Sequence, residues 1–125
     1  MARRMVAVLG VSVALFAITG AAAFGRTTKT PTLQGVVGPS YTITLKQNGK
    51  VVKTLKAGTY KFVISDKATF HGFTLEKEKG GTFEKDLTTV PYMGTKTVTV
   101  KLTKGQWKYY CPPHESQMFG FFKVT

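Results

Sequence analysis

The chain has 125 residues, with 18 Lys and Arg against 6 Asp and Glu, one Cys and two His, for a formal net charge of +12. That length holds one domain, and a domain of this size can bury about two-thirds of the surface its unfolded chain exposes. A lone Cys excludes an intramolecular disulfide framework, and one Cys with two His excludes a four-ligand zinc finger, so any chemistry is concentrated in very few residues.

Residues 1–23, MARRMVAVLGVSVALFAITGAAA, place Arg3 and Arg4 before an apolar run that ends in small residues. This is the pattern of a signal peptide, with cleavage expected after Ala23. The competing reading is an uncleaved anchor, since Met5 to Ala23 approaches the roughly 20 residues that span a bilayer; Gly20 and the Ala run favour cleavage. No Cys stands near the boundary to carry a lipid, and the Arg pair lacks the flanking residues of a twin-arginine signal, which leaves general secretion. Loss of Arg3 and Arg4 leaves 16 basic and 6 acidic residues, or +10. The mature chain is expected outside the cytoplasm, in the periplasm or at the cell surface, where an unpaired Cys needs a reason.

Residues 24–33 read as a polar Thr-rich linker and residues 34–125 as a single domain. Apolar residues in the domain alternate with period two, and no stretch sustains a 3.6 period, so the expected class is all-β. Tyr41, Ile43 and Leu45 alternate with Thr42 and Thr44; Asn48-Gly49 then supplies a tight hairpin turn, because both central positions need φ > 0, and Val51 to Leu55 is expected to return. After Ala57-Gly58, Tyr60, Phe62 and Ile64 form one face of a strand; His71, Phe73 and Leu75 form one face of the next, which ends in Glu76-Lys77-Glu78-Lys79 and Gly80-Gly81. Thr82 to Met93 reads as a short helix or irregular turns. Gly94 to Leu102 alternates as a half-buried antiparallel strand, Trp107, Tyr109 and Cys111 share one face of another, and Gly120, Phe122 and Val124 finish the chain. Seven or eight short strands spaced by turn residues predict a β-sandwich or barrel.

The chemistry lies in Cys111, His114, Met118 and the distant His71. By strand parity Cys111 is in step with Trp107 and Tyr109, and His71 with Phe73 and Leu75, so both point toward the apolar interior and can meet between the sheets. Taken singly, each has a bland explanation: a lone Cys as a small buried hydrophobe, a Met as a gap-filler, a His as a satisfied core residue. Together they place the only thiol and the only two imidazoles in register with one motif, YYCPPHESQMFGFF. Soft sulfur with imidazole nitrogen selects copper, and two His with one Cys in a trigonal plane plus a weak axial Met is the arrangement of blue-copper electron-transfer sites. Zinc is disfavoured because a thioether is a poor zinc ligand.

The pattern Cys111-x-x-His114-x-x-x-Met118-x-Gly120, with an upstream His in Thr69-Phe70-His71-Gly72-Phe73, resembles the copper-binding loop and distant ligand of the cupredoxins across residues 34–125. The resemblance implies a Greek-key β-sandwich and one copper ion, with His71, Cys111 and His114 as equatorial ligands and Met118 as the axial one. It also implies a blue copper protein that passes single electrons rather than an enzyme, with an apolar patch around His114 as the port. Pro112, Pro113, Met118 and Phe119 are the expected patch residues. Two departures stand out. Gly72 replaces the Asn whose side chain commonly ties the two ligand loops together, and Gln117 offers an alternative axial ligand. Pro112 and Pro113 also remove two N–H donors to the thiolate, and such donors tune copper potentials.

The +10 charge is expected to steer an acidic redox partner, with anionic lipid or cell-wall polymer as the alternative contact. Nucleic acid is disfavoured by the expected export and by the lack of a clustered basic stripe, and a monomer is expected. Glu115 lies beside the site without an evident partner, and nothing resembles a catalytic apparatus. An extracytoplasmic copper carrier on the same fold is the second reading, and a metal-free interaction module the third.

Overall fold

Alternating apolar residues drive two five-stranded sheets face to face. The structure, a computed structural model, describes residues 20–25 and 27–125; the segment read as a signal peptide lies, up to residue 19, outside the described residues. Among the described residues no helix is long and apolar enough to cross a membrane. The strands are β1 (Thr32–Val37), β2 (Ile43–Gln47), β3 (Lys50–Val51), β4 (Thr54–Leu55), β5 (Gly58–Asp66), β6 (Phe73–Lys79), β7 (Glu84–Thr88), β8 (Gly94–Leu102), β9 (Gly105–Tyr110) and β10 (Phe119–Val124). One sheet runs β3-β2-β1-β5-β8 and the other β4-β10-β9-β6-β7. The all-β sandwich expected from the sequence is the observed architecture, with ten strands among the described residues in place of seven or eight.

The extra strands have physical causes. β1 begins at Thr32, two residues before the expected domain start, and buries Leu33 and Val37; it pairs antiparallel with β2 and parallel with β5. The expected return strand from Val51 to Leu55 splits. Lys50 and Val51 close the Asn48-Gly49 hairpin on β2, whereas Thr54 and Leu55 cross to the other sheet and pair with Lys123 and Val124. The segment read as helix or turns contains β7, an edge strand on β6 whose Glu84, Lys85 and Asp86 are solvent-exposed and whose Leu87 is buried. The Asn48-Gly49 turn is as expected, with φ of 49° and 78°.

Between the sheets the core is aromatic. Trp107 stacks on Phe122 at 6.2 Å, Tyr109 on Phe73 at 5.7 Å, and both are joined by Leu33, Leu45, Phe62, Ile64, Leu75 and Leu87 in one buried cluster. Each fully buried side chain of this kind contributes about 1.5–3 kcal/mol. The Trp107 indole N–H donates to Thr103 O at 2.9 Å, so the largest core residue leaves no polar group unpaired. Cys111 and Met118 belong to the same cluster, which places the metal-ligating candidates at one end of a rigid core.

Candidate metal centre

Two segments far apart in sequence deliver the ligand candidates. His71 lies two residues before β6 begins at Phe73, in the β5–β6 connection, where its N–H donates to Ala68 O at 3.4 Å. Cys111 follows the end of β9 and opens the 3₁₀ turn Pro112–His114. Proline suits the first turn of a helix because its fixed φ is already helical and no intrahelical N–H is required there. His114 N–H donates to Cys111 O at 3.0 Å, Met118 N–H to His114 O at 2.9 Å, and Cys111 N–H to Met118 O at 3.0 Å. The loop from Cys111 to Met118 is thus closed on itself by backbone hydrogen bonds that link its three candidate ligands.

The donor atoms converge. His71 Nδ1 lies 3.2 Å from His114 Nδ1, and Cys111 Sγ lies 3.6 Å from each of those nitrogens. Imidazole and thiolate bonds to a first-row ion run about 2.0–2.3 Å, so a trigonal plane needs donor–donor edges of about 3.5–3.8 Å, within a few tenths of those observed. Two nitrogens and a soft sulfur on such a triangle suit one copper ion. His71, Cys111 and Met118 are fully buried, His114 is half-buried and Gln117 is exposed. The sandwich therefore encloses three of the four candidates and leaves one imidazole edge at the surface.

Burial pushes the Cys111 thiol up from its ordinary range, the Gly72 and His114 N–H groups pull it down, and the Asp66 charge adds to the rise. Gly72 N–H reaches Cys111 Sγ at 3.4 Å across 39 residues of sequence. The two ligand loops are tied after all, by backbone rather than by the side chain that Gly72 lacks, and the thiol has an N–H donor despite Pro112 and Pro113. A Cβ on Gly72 would stand 3.0 Å from Thr88 O and 3.6 Å from Pro112 Cδ, so glycine permits this close approach.

The surface around His114 differs from expectation. Pro112 and Pro113 are exposed beside it, but Met118 is buried, and Phe119 turns onto the outer face of its sheet, where it meets Phe121 edge-on at 5.7 Å. The rings that flank His114 are Tyr41, edge-on at 4.9 Å, and Phe70 at 6.3 Å; they are 57% and 48% exposed. Tyr41 is in step with Ile43 and Leu45 in the sequence, yet β2 starts only at Ile43 and leaves Tyr41 to lean on the imidazole. Phe70, next to His71, falls out of step with the buried face. Glu115 does have a partner, Lys108 Nζ at 2.7 Å.

The two-sheet all-β sandwich, with His71, Cys111 and His114 converging at one end and Met118 buried in the adjoining core, is similar in fold to solved copper proteins. Solved structures of similar fold include a variant of rusticyanin (TM-score 0.51, 21% identity, covering 79% of this chain and 80% of that one) and reduced rusticyanin (0.51, 22%, 79% and 81%). Auracyanin A, a "blue" copper protein from the green thermophilic photosynthetic bacterium Chloroflexus aurantiacus, is similar at TM-score 0.53 and 19% identity over 78% of this chain and 100% of its own. At these identities the likeness is one of fold. No family model and no curated protein matches the sequence.

Proposed function

We propose that the chain is a type 1 blue copper protein that carries single electrons between redox partners outside the cytoplasm. The observation that carries this reading is the 3.2–3.6 Å donor triangle of His71, Cys111 and His114, closed over by the core with only His114 reaching the surface. His71, Cys111 and His114 would hold the ion in the plane, and the buried Met118 is favoured over the exposed Gln117 as the axial donor. Copper bound there supplies a one-electron Cu(II)/Cu(I) couple.

The chain's own part is to hold still and to exclude water. The Cys111–Met118 loop is hydrogen-bonded to itself, and Gly72 fastens it to the His71 segment, so little has to rearrange when an electron moves. Electrons would enter and leave at the exposed edge of His114, and the apolar rim of Tyr41, Phe70, Pro112 and Pro113 suits transient docking. Lys46, Lys61 and Lys101 stand on the outer face of one sheet, next to inward Leu45, Phe62 and Val100, whereas the register of β6 on β7 puts Glu76, Glu84 and Asp86 on the outer face of the other. An acidic redox partner would be steered by the first face. A signal at residues 1–23 would export the chain, with a tether at the membrane if that signal is retained.

Stopped-flow mixing of the reduced, copper-loaded protein with a soluble one-electron oxidant tests this role. The expected result is a single fast phase that returns the protein to the oxidised state with its copper retained through repeated cycles. Loss of copper to a competing chelator within seconds, in either oxidation state, would support the copper-carrier reading instead.

A further inference from the structure

Among the described residues, two buried side-chain polar atoms lack a hydrogen-bond partner, His71 Nε2 and Asp66 Oδ2. One is a ring nitrogen and the other a carboxylate oxygen. His71 turns Nδ1 toward Cys111 Sγ and His114 Nδ1. A neutral imidazole that offers Nδ1 as a ligand carries its proton on Nε2, so the orphan nitrogen is a donor and the orphan oxygen an acceptor.

The two groups share one corner of the fold. Asp66 is the last residue of β5, in the inward register of Phe62 and Ile64, and pairs with Val37 of β1. The residue after Val37 is Gly38, whose missing Cβ would stand 3.4 Å from His71 Nε2 and 3.5 Å from Ala68 Cβ. Ala68 N–H in turn donates to Asp66 Oδ1 at 3.3 Å. No cation lies within ion-pair distance of Asp66 among the described residues, in a chain with 18 Lys and Arg. A buried carboxylate without a counterpart is costly, so its place beside a candidate ligand needs an explanation that the fold alone does not supply. The Asp66 charge also raises the Cys111 thiol, which puts it within electrostatic reach of the site.

We infer that Asp66 is the outer partner of His71: its Oδ2 accepts the Nε2–H bond through one bridging water. This rests on the copper reading above and deepens it. Such a bond fixes the tautomer, sets the plane of the ring and makes the imidazole a stronger donor to the metal. Asp66 is accordingly a positioning residue that favours the oxidised site.

The test is nitrogen-resolved NMR of the His71 ring in the metal-free and Cu(I)-loaded full chain, beside the variant Asp66→Asn, which keeps the shape and an acceptor oxygen but loses the charge. In the wild type His71 is expected as the Nε2–H tautomer, its proton exchanging with water at least about tenfold more slowly than in a free imidazole. In Asp66→Asn that exchange should quicken, Cu(II) binding should weaken about 10–100-fold, and the redox equilibrium with a mediator should move toward Cu(I) by about tenfold, which is 59 mV for one electron. An unchanged ring proton in the variant, or an Nδ1–H tautomer in the wild type, overturns the inference. If the variant does not fold, the wild-type tautomer and exchange rate decide alone. A protected Nε2–H that responds to Asp66→Asn in a protein with no blue form would sink the copper reading and leave the Asp66–His71 bond standing.

Discussion

Alanine at position 38 would put a methyl group where the buried ring of His71 now packs. Gly38 has φ +73°, and an ideal Cβ built there lies 2.7 Å from His71 Cδ2, closer than real Cβ contacts come. Two costs follow. A side chain in the left-handed region costs about 1 kcal/mol, and overpacking beside a ring that is fully buried and unable to swing into solvent costs about 1–3 kcal/mol. The sum is about 2–4 kcal/mol. At about 4–8 °C per kcal/mol for a domain near 100 residues, the copper-free protein should melt roughly 10–30 °C lower. Gly49→Ala isolates the backbone part, because Gly49 has φ +78° with nothing within 4 Å of the built Cβ; it should cost only about 1 kcal/mol. Thermal and urea unfolding of the two variants beside the wild type measures both. Equal losses in the two variants, or a Gly38→Ala protein as stable as the wild type, would refute the argument that His71 is packed against that glycine.

Three further outcomes follow from the same geometry. A Cβ on Gly120 would overlap the ring and hydroxyl of Tyr109, its direct cross-strand neighbour, so Gly120→Ala should destabilise by about 1–3 kcal/mol in denaturant unfolding, and a more stable variant would contradict the packing. Cys111 and Tyr109 are both pushed up by burial, so each contributes stability that is fully present below its ordinary value of 9.0 or 10.0 and is lost as pH rises beyond it. The copper-free protein should therefore lose melting temperature above about pH 9, and a flat or rising profile between pH 9 and 11 would count against burial of these groups. Glu76 faces Glu84 directly across β6 and β7, and burial together with the Glu78 and Glu84 charges raises its carboxyl from 4.5. Glu76→Gln should then stabilise by a few tenths of a kcal/mol at pH 7 and by nothing below pH 4, as read from paired melting curves.

The hairpin at Asn48-Gly49, the long strand β8 and the aromatic face of β9 were legible because each is local: a turn pair or a run of strict alternation fixes them. β1 was hidden by its own glycine. Gly35 interrupts the alternation of Leu33 and Val37 because Ile64 and Phe73 occupy the space a Cβ would fill. β7 was hidden by its three charged edge residues. The break in the return strand depends on Leu55 meeting Val124, a contact between residues 69 positions apart that no local pattern encodes. At the metal centre the ligand candidates could be read from scarcity, since one thiol and two imidazoles allow few combinations. Tyr41 and Phe70 could not, because they reach His114 from two separate connections, β1–β2 and β5–β6. Asp66 did leave a signal, a charged residue continuing the inward period of Tyr60, Phe62 and Ile64.

Copper(II) titration of the metal-free chain, followed by visible absorption, tests the central claim most directly. One equivalent should produce an intense thiolate-to-copper band at roughly 600 nm, and Cys111→Ser should bind without that band. A wild-type protein that binds no copper, or that holds Cu(II) without colour, would contradict the account.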